Sequence, residues 1–476
     1  MTFNNQTVLS VTTLAVFAVL GHWGFWSEGV FALGFNTTAF WVGFGALLWV
    51  NNPSLSWKKD WVWLVPLALM ALSFSLFENP WLKVISCVVL PISAGTFYAY
   101  SQLINAQQSF WGLQLVRALL KRCLTPMRHI SAAFHFCRGR VAFVAFQQDH
   151  NLNKRIFTGL GLLAPLALLV LILLGSADDN FAELTVNAFT NFFGALNLTM
   201  IAKVLCIFIM CVLLFAGLYA WKTKFEFTEE KVVISLDDVV VGIVMGGVLV
   251  IYCLFLWLQL DYLLIGSLPE NFTATEKIVK SGFWQLFFLT ILNTGLFFAV
   301  YKNTGAAAQV ILRVFIVASG LLLLSAAWRM GLYVYWYGFS YEKYFASYTS
   351  LFALLVFIYL LAASFSKTRK DVFKFIAFAA LWSYSVATVT PVERIIFNSN
   401  VALSQLSDSR VGLYELRQMS ADIVGDVKSL VSDDNLAGRL SATEVQNWTS
   451  WIYNQERKHC GRAWYESNVS LLSACP

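Results

Sequence analysis

Residues 239–260 read VVVGIVMGGVLVIYCLFLWLQL, a stretch of 22 residues without a charged side chain. An α-helix rises 1.5 Å per residue, so about 20 apolar residues match the roughly 30 Å hydrocarbon core of a bilayer. Apolar helices buried in soluble proteins are usually shorter. The stretch therefore predicts a helix that spans a membrane.

Similar apolar runs recur from one end of the chain to the other. They predict an all-α, polytopic transmembrane helical bundle of about eleven spans. The predicted spans are 7–26, 30–50, 61–78, 81–100, 156–175, 198–221, 239–260, 282–301, 308–329, 346–366 and 372–390.

The composition supports a membrane protein over a soluble one. Hydrophobic residues make up 58% of the chain and charged residues 13%, whereas soluble domains carry about 25% charged residues. The net charge of +6 does not indicate nucleic-acid binding, because the basic residues follow a topology pattern. Since no basic segment precedes the first run and no small-residue cleavage site follows it, we interpret that run as a retained span.

Basic residues cluster after every second span, which predicts the orientation of the chain. By the positive-inside rule these loops are cytoplasmic, so the N-terminus is inside and the C-terminal tail is outside. The basic residues are Lys58, Lys59, Arg117, Lys121, Arg122, Arg128, Arg138, Arg140, Lys154, Arg155, Lys222, Lys224, Lys302, Lys367, Arg369 and Lys370. The opposite loops hold Glu28, Glu78, Asp178, Asp179, Glu183, Glu270 and Glu276.

This orientation sorts the eight cysteines. Cys460 and Cys475 alone lie in the external tail, where oxidation is permitted, and we predict a disulfide between them. The alternative is two unpaired cysteines near the end of the chain. The other cysteines fall in spans or in the cytoplasmic loop and are expected to be free thiols.

The tail, residues 393–476, changes from apolar runs to a helical periodicity. Apolar residues recur every three or four positions, Ser420 is placed to cap a break, and Ser441 with Glu444 forms a capping box. The periodic residues are Leu413, Leu416, Met419, Ile423, Val427 and Leu430. The tail therefore predicts a small extracytoplasmic helical cap on the bundle.

The basic loop, residues 101–155, contains an amphipathic segment. Apolar residues from Phe110 to Leu120 alternate with Arg117, Lys121 and Arg122. Such a helix is expected to lie in the headgroup plane with its bases against anionic lipid headgroups.

One helical face carries a candidate ligand site. Arg329, Tyr333 and Tyr337 follow one another at i, i+4 and i+8, which places a guanidinium and two phenols together. An Arg beside aromatic rings can bind a headgroup phosphate or a carboxylate. The structural alternative is an aromatic-belt helix end in which Arg329 pairs with Glu342 or Asp261.

Catalytic signals are weak. The sequence has no H-E-x-x-H, C-x-x-C, P-loop or G-x-S-x-G motif, and we predict no cofactor. Asp178 and Asp179 are adjacent external carboxylates and only weak candidates for a metal site. The alternative for this pair is solvated loop charge together with a helix cap.

Four segments occur together in a recognisable order. They are 177-ADDNFA-182; 259-QLDYLL-264 with Gly266, Thr273 and 282-GFW-284; Arg329, Tyr333 and 337-YGFS-340 with Lys343; and Pro391, Asn398, 413-LY-414 and 420-SAD-422. Over residues 155–465 the chain resembles the bacterial integral-membrane families labelled domain of unknown function 4153 and 4173. Lys280 and Lys343 stand where Arg is usual, and Ile278 stands where Tyr is expected.

The resemblance implies a multi-pass protein of the bacterial cytoplasmic membrane. It adds Gln259 and Tyr262 to Arg329, Tyr333 and Tyr337 as candidate ligand-binding residues. We divide the chain into a four-span segment (1–100), the basic loop (101–155), a seven-span core (156–392) and the tail (393–476).

Three functions are compatible with these features. The first is a non-enzymatic envelope sensor or assembly partner with an unidentified protein partner. The second is a transporter or lipid-handling protein with a cavity near Arg329. The third is an enzyme of envelope lipids or glycans that uses Asp178 and Asp179.

Overall fold

The computed structural model describes most of the chain, and its secondary structure is helical. The described residues are 3–24, 32–52, 55, 57–106, 111–145, 198–228, 237–264, 272–301, 304–366, 371–406, 410–432 and 441–475. Their α-helices are α1 (Asn5–Leu20), α2 (Phe35–Asn51), α3 (Trp57–Leu76), α4 (Pro80–Ser101), α5 (Leu113–Cys123), α6 (Ile130–Ala145), α7 (Leu198–Trp221), α8 (Asp238–Leu264), α9 (Phe272–Tyr301), α10 (Ala306–Tyr337), α11 (Tyr341–Ser364), α12 (Val372–Val389), α13 (Val392–Ser404), α14 (Val424–Ser432), α15 (Ala442–His459) and α16 (Val469–Ala474).

Seven of these helices are long and apolar enough to cross a membrane, namely α3, α4, α7, α8, α10, α11 and α12. The helix α1 and the second half of α9 are apolar but shorter. The predicted span 156–175 lies outside the described residues, as do Asp178 and Asp179. The predicted all-helical fold is therefore confirmed for the described residues, and seven of their helices are suited to span a membrane.

The helix α10 lies at the centre of one half of the bundle, in contact with α8, α9 and α11. Its buried Leu312 and Phe315 pack with Phe297 and Leu360 from its neighbours. A polar chain crosses this core: Tyr252 Oη donates to Asn293 Oδ1 at 2.6 Å, and Asn293 Nδ2 donates to Ser319 Oγ at 2.9 Å. Hydrogen bonds between helices hold membrane bundles together where lipid offers no alternative partner.

The segments that follow α4 and α7 pair side by side. Ile104 N donates to Phe225 O at 3.0 Å, and Phe225 N donates to Gln102 O at 3.2 Å. The ends of α4 and α7 therefore lie at the same end of the bundle, which we call the basic end because Lys58 and Lys59 begin α3 there. Since α7 runs towards this point, the chain leaves α4 at the basic end and enters α7 at the opposite end.

The amphipathic segment of the basic loop forms α5, but its apolar face is only partly available to lipid. Leu115 and Leu119 are fully buried against Trp63 and Phe97 of α3 and α4. Leu113 and Leu120 remain exposed on the same helix. The helix therefore packs on the bundle, and the side of the helix that carries Lys121 remains exposed.

The tail forms a small domain with its own core at the opposite end of the bundle. The periodic residues Leu416, Met419, Ile423, Val427 and Leu430 are buried in it together with Leu82 of α4. The break is real, because a short 3-10 turn (Ala421–Ile423) capped by Ser420 precedes α14. The predicted capping box of Ser441 and Glu444 is present at the start of α15.

A disulfide joins Cys460 to Cys475 in the tail, with 5.6 Å between their Cα atoms. It fixes the segment between α15 and the end of α16. The remaining cysteines, Cys87, Cys123, Cys137, Cys206, Cys211 and Cys253, are free thiols as predicted.

Candidate functional site

Two residues of the predicted face of α10, Tyr333 and Tyr337, lie together at the end of that helix. The rings of Tyr333 and Tyr337 lie 5.3 Å apart between centroids. The Nζ of Lys343 lies 4.2 Å from the Tyr333 ring centroid and donates to Gly338 O at 2.8 Å. Lys343 thus closes the C-terminal end of α10, where cations are favoured by the exposed carbonyl groups.

This face is packed, which limits what it can bind. Tyr333 is 1% exposed and lies in a small core with Met330 and Ala346. Arg410 from the tail donates to the hydroxyl of Tyr337 at 3.4 Å. A ligand role for Arg329, Tyr333 and Tyr337 stays a prediction, and the side chains of Gln259 and Tyr262 lie outside the described part of the structure.

A second polar site lies where the tail meets the turn between α3 and α4. We call it the buried charge cluster; its members are Glu78, Lys83, Glu393, Asp422, His459, Arg462 and Asn468. Each has little or no exposed side-chain surface. Three separate tail segments contribute to it, so it is the main polar contact between the tail and the bundle in the described residues.

Glu78 is the centre of the cluster. Its carboxylate accepts from Lys83 Nζ at 2.6 Å, from Arg462 at 2.9 Å and from Asn468 Nδ2 at 2.7 Å. Lys83 belongs to α4, whereas Arg462 and Asn468 lie in the segment held by the disulfide. The bundle and the tail therefore share one carboxylate.

Asp422 lies at the N-terminus of α4. Its carboxylate accepts from the backbone N–H groups of Glu78 at 2.7 Å and of Asn79 at 3.1 Å. A carboxylate at this position is favoured by the free N–H groups and the dipole of the helix. Burial nevertheless raises the pKa of Asp422, while these backbone hydrogen bonds oppose the increase.

Glu393, in the first turn of α13, is 1% exposed. Its carboxyl group accepts from the hydroxyl of Tyr341, from Ser420 N at 2.9 Å and from Ser420 Oγ at 2.6 Å. Burial raises the pKa of Glu393, and the charge of Asp422 raises it further. The protonated form of Glu393 is therefore favoured at pH values above those at which a solvated carboxyl group ionises.

His459 ends α15 beside the cluster, with Nδ1 4.0 Å from Glu78 Oε1. Burial lowers the pKa of His459 to about 4, and the positive charge of Arg462 contributes in the same direction. The imidazole is therefore neutral at pH 7. When Glu393 carries a proton, the positive charges of Lys83 and Arg462 balance the negative charges of Glu78 and Asp422. Buried charges require partners of opposite sign.

The cluster is a network of ion pairs and hydrogen bonds rather than a metal centre. Within the described ranges, no group of three His, Cys, Asp or Glu side chains is arranged to hold a metal ion. Its cations, Lys83 and Arg462, bind the carboxylate oxygens that a metal ion would need as ligands. What the arrangement can do is to tie the position of the tail to that of α3 and α4.

No motif or spacing in the sequence points to this cluster. Glu78 entered only as an acidic loop residue, and Asp422 only as part of the family resemblance. One signal was available: Lys83 lies one turn inside a predicted span, where an unpaired charge is costly. Its partners could not be found from spacing, because the residues that join it lie in the tail.

Several large cavities lie between the described helices. One cavity, of about 570 Å³, lies between α8 and α10 and is lined by Cys253, Trp257 and Trp328 among others. Two others, of about 380 and 420 Å³, are both lined by Trp111 at the basic end.

A family model described as a domain of unknown function (DUF4153) matches residues 64–430, well over half of the chain. The chain belongs to the DUF4153 family. The match begins within α3, earlier than the resemblance at residue 155, and ends within α14, whereas the tail core continues into α15 and α16. No curated protein and no solved structure matches the chain. Both the Arg329 face and most of the buried charge cluster fall within the DUF4153 region, whereas His459, Arg462 and Asn468 lie beyond it.

Proposed function

We propose that this DUF4153 protein is a non-enzymatic sensor or assembly partner of the bacterial cell envelope. It crosses the cytoplasmic membrane about eleven times, with its N-terminus inside and its tail outside. Seven helices of sufficient length and apolarity support the membrane location. The tail lies at the end opposite to Lys58 and Lys59, which supports the orientation by the positive-inside rule.

The buried charge cluster is the observation that carries this proposal. A sensor needs a part that meets the signal and a rigid connection from that part to the membrane helices. Glu78 provides this connection, because it binds Lys83 of α4 and Arg462 of the tail through the same carboxylate. A displacement of the tail therefore either moves the α3–α4 turn or leaves buried charge unpaired.

The tail also presents residues suited to protein contact. Tyr414, Tyr453 and Trp464 are each more than 60% exposed. Aromatic residues are enriched at protein interfaces, where they supply large contact areas at low entropic cost. We therefore place the partner at this surface of the tail.

Photo-crosslinking in intact cells tests the proposal. A photoreactive phenylalanine analogue at Tyr453 or Trp464 is expected to give a reproducible crosslinked protein band. Leu258 of α8, which is 69% exposed on an apolar helix, is the control position and should capture lipid only. Absence of any protein crosslink from both tail positions in the native host would contradict the partner role.

A second candidate is a lipid-handling protein, and one observation favours it. The cavity of about 570 Å³ beside Trp328 has the size of a small-molecule site and is lined mainly by apolar residues. Ser325→Trp would fill it. Loss of complementation of a deletion strain by this variant, with normal folding and normal tail crosslinks, would favour lipid handling over the assembly role.

A further inference from the structure

Two cavities at the basic end of the bundle share one wall, the indole of Trp111, which precedes α5. The first, about 380 Å³, lies among α3, α4 and α12 and is lined by Trp63, Ile92 and Leu381. The second, about 420 Å³, lies between α5, α9 and α12 and is lined by Phe298. We call the two together the Trp111 crevice. Its volume and apolar lining are those of a small-molecule site.

The crevice contains two buried polar hydrogens without well-aligned acceptors. Trp63 is 8% exposed and Trp111 is 3% exposed, and among the described residues neither indole N–H meets the geometry of a hydrogen bond. The hydroxyl of Tyr100 lies near the Trp111 N–H and interacts with it only weakly. Both rings pack against Phe378, with centroids 5.0 and 5.3 Å away. Buried donors normally have partners. A ligand that is mostly apolar but carries an oxygen acceptor would fill the crevice and satisfy these two donors.

A positive charge lies at the edge of the crevice. The Nζ of Lys374, in the first turn of α12, is 5.8 Å from the centroid of the Trp111 ring. Lys374 is exposed, and so are Arg117 and Lys121 on the neighbouring α5. This is the end of the bundle at which the basic loops gather, so an anionic group is favoured there.

We propose that the Trp111 crevice binds one anionic glycerophospholipid. An acyl chain lies along the apolar walls, ester or phosphate oxygens accept from the indole N–H groups of Trp63 and Trp111, and the headgroup charge faces Lys374. The site is independent of the sensor and assembly role, since it lies at the other end of the bundle from the buried charge cluster.

Native mass spectrometry of the purified, delipidated full-length protein tests the site. The protein is titrated with phosphatidylglycerol or with phosphatidylcholine of the same acyl chains. The wild type is expected to bind one phosphatidylglycerol more tightly than phosphatidylcholine. Lys374→Gln should reduce this preference about fivefold, the effect of one basic residue at a lipid surface, and leave phosphatidylcholine binding unchanged.

Further variants separate the two parts of the site. Trp63→Phe with Trp111→Phe keeps the aromatic rings but removes both donors, and should weaken both lipids about fivefold or more. Ala380→Trp fills the crevice and should abolish the site. Lys203→Gln is the matched control, because Lys203 lies over a different indole, 5.0 Å from Trp23, and should change nothing.

Lipid binding is compared only for variants whose thermal stability equals that of the wild type. Circular dichroism reports whether each variant folds. Equal affinity of the wild type for the two lipids would overturn the anionic preference. Retention of the bound lipid by a folded Ala380→Trp protein would overturn the location. If Ala380→Trp does not fold, unchanged lipid binding by the folded Trp63→Phe, Trp111→Phe protein overturns the location instead.

Discussion

The ammonium of Lys83 lies 2.6 Å from a carboxylate oxygen of Glu78, and both side chains are more than nine-tenths buried. Lys83 lies in the first turn of α4, while Arg462 approaches the same carboxylate from the tail. All three side chains are less than a tenth exposed to solvent. The pair therefore makes the docking of the tail and the start of α4 depend on each other.

Glu78→Gln tests this dependence. The change leaves two buried cations with a neutral partner, and removing one member of a buried ion pair costs about 3–5 kcal/mol. We expect a large decrease in the midpoint of thermal unfolding in detergent and faster trypsin cleavage of the tail. Glu456→Gln is the matched control, because Glu456 pairs with Lys428 at a part-exposed position, where a pair contributes about 0–1 kcal/mol. Equal losses in the two variants would contradict the role of the cluster.

Two buried groups of the cluster, Glu393 and His459, should contribute opposite pH dependences to stability. Since burial raises the pKa of Glu393 above its usual 4.5, the folded state binds more protons than the unfolded state, and stability decreases as pH rises above that value. Glu393→Gln should remove part of this alkaline decrease; Asp422 retains the remainder, because its pKa is also raised. Thermal unfolding measured from pH 5 to 9 checks the difference between variant and wild type. A variant whose profile runs parallel to the wild type would refute the assignment.

His459 contributes the opposite slope. Its pKa is lowered from 6.5 to about 4 in the folded protein, so the unfolded state binds the extra proton between these values. The contribution of His459 to stability therefore decreases as pH falls from about 6.5 towards 4, opposite in sign to that of Glu393. Relative to the wild type, His459→Gln should gain stability as pH falls through this range, and the difference between the two proteins should be constant above pH 7. Thermal unfolding measured from pH 4 to 7 tests this prediction. If stability varied with pH in the same way in the variant and the wild type over this range, His459 would not be a buried neutral imidazole.

Gly338 allows the chain to turn from α10 into α11. It has φ of 71° and ψ of 174°, a backbone region that essentially only glycine occupies. A Cβ there would lie 2.6 Å from Asn400 Oδ1, which accepts from the neighbouring Phe339 N. Gly338→Ala should therefore destabilise the protein by about 1–3 kcal/mol or more.

Gly331→Ala is the control for this prediction, because no atom lies within 4 Å of a Cβ at Gly331 in the same helix. Alanine has a higher helix propensity than glycine, so this change should be neutral or slightly stabilising. Similar unfolding midpoints for the two alanine variants would contradict the role given to Gly338.

The sequence predicted those features that depend on local patterns. The capping box of Ser441 and Glu444 was recognisable because its two residues lie three positions apart, and the α10 face because Tyr333 and Tyr337 lie one turn apart. The pairing of Cys460 with Cys475 followed from their shared location in the tail. Each of these relationships is set by spacing or by compartment.

The buried charge cluster could not be predicted in this way. Asp422 accepts from a backbone N–H group 344 positions away along the chain, and this contact exists only after the tail has docked. A charge beside a predicted helix end is normally solvated, so Glu78 and Glu393 gave no signal of burial. The packing of Leu115 and Leu119 was missed for the same reason, since an amphipathic pattern does not tell lipid from protein.

The location of the tail is tested most directly by reporters fused after residue 476. Alkaline phosphatase is active only outside the cytoplasm, whereas a conventional green fluorescent protein fluoresces only when it folds inside. We expect an active phosphatase fusion and a dark fluorescent fusion of equal abundance. A bright fluorescent fusion with an inactive phosphatase would place the tail and its disulfide in the cytosol and contradict the orientation on which the proposed function rests.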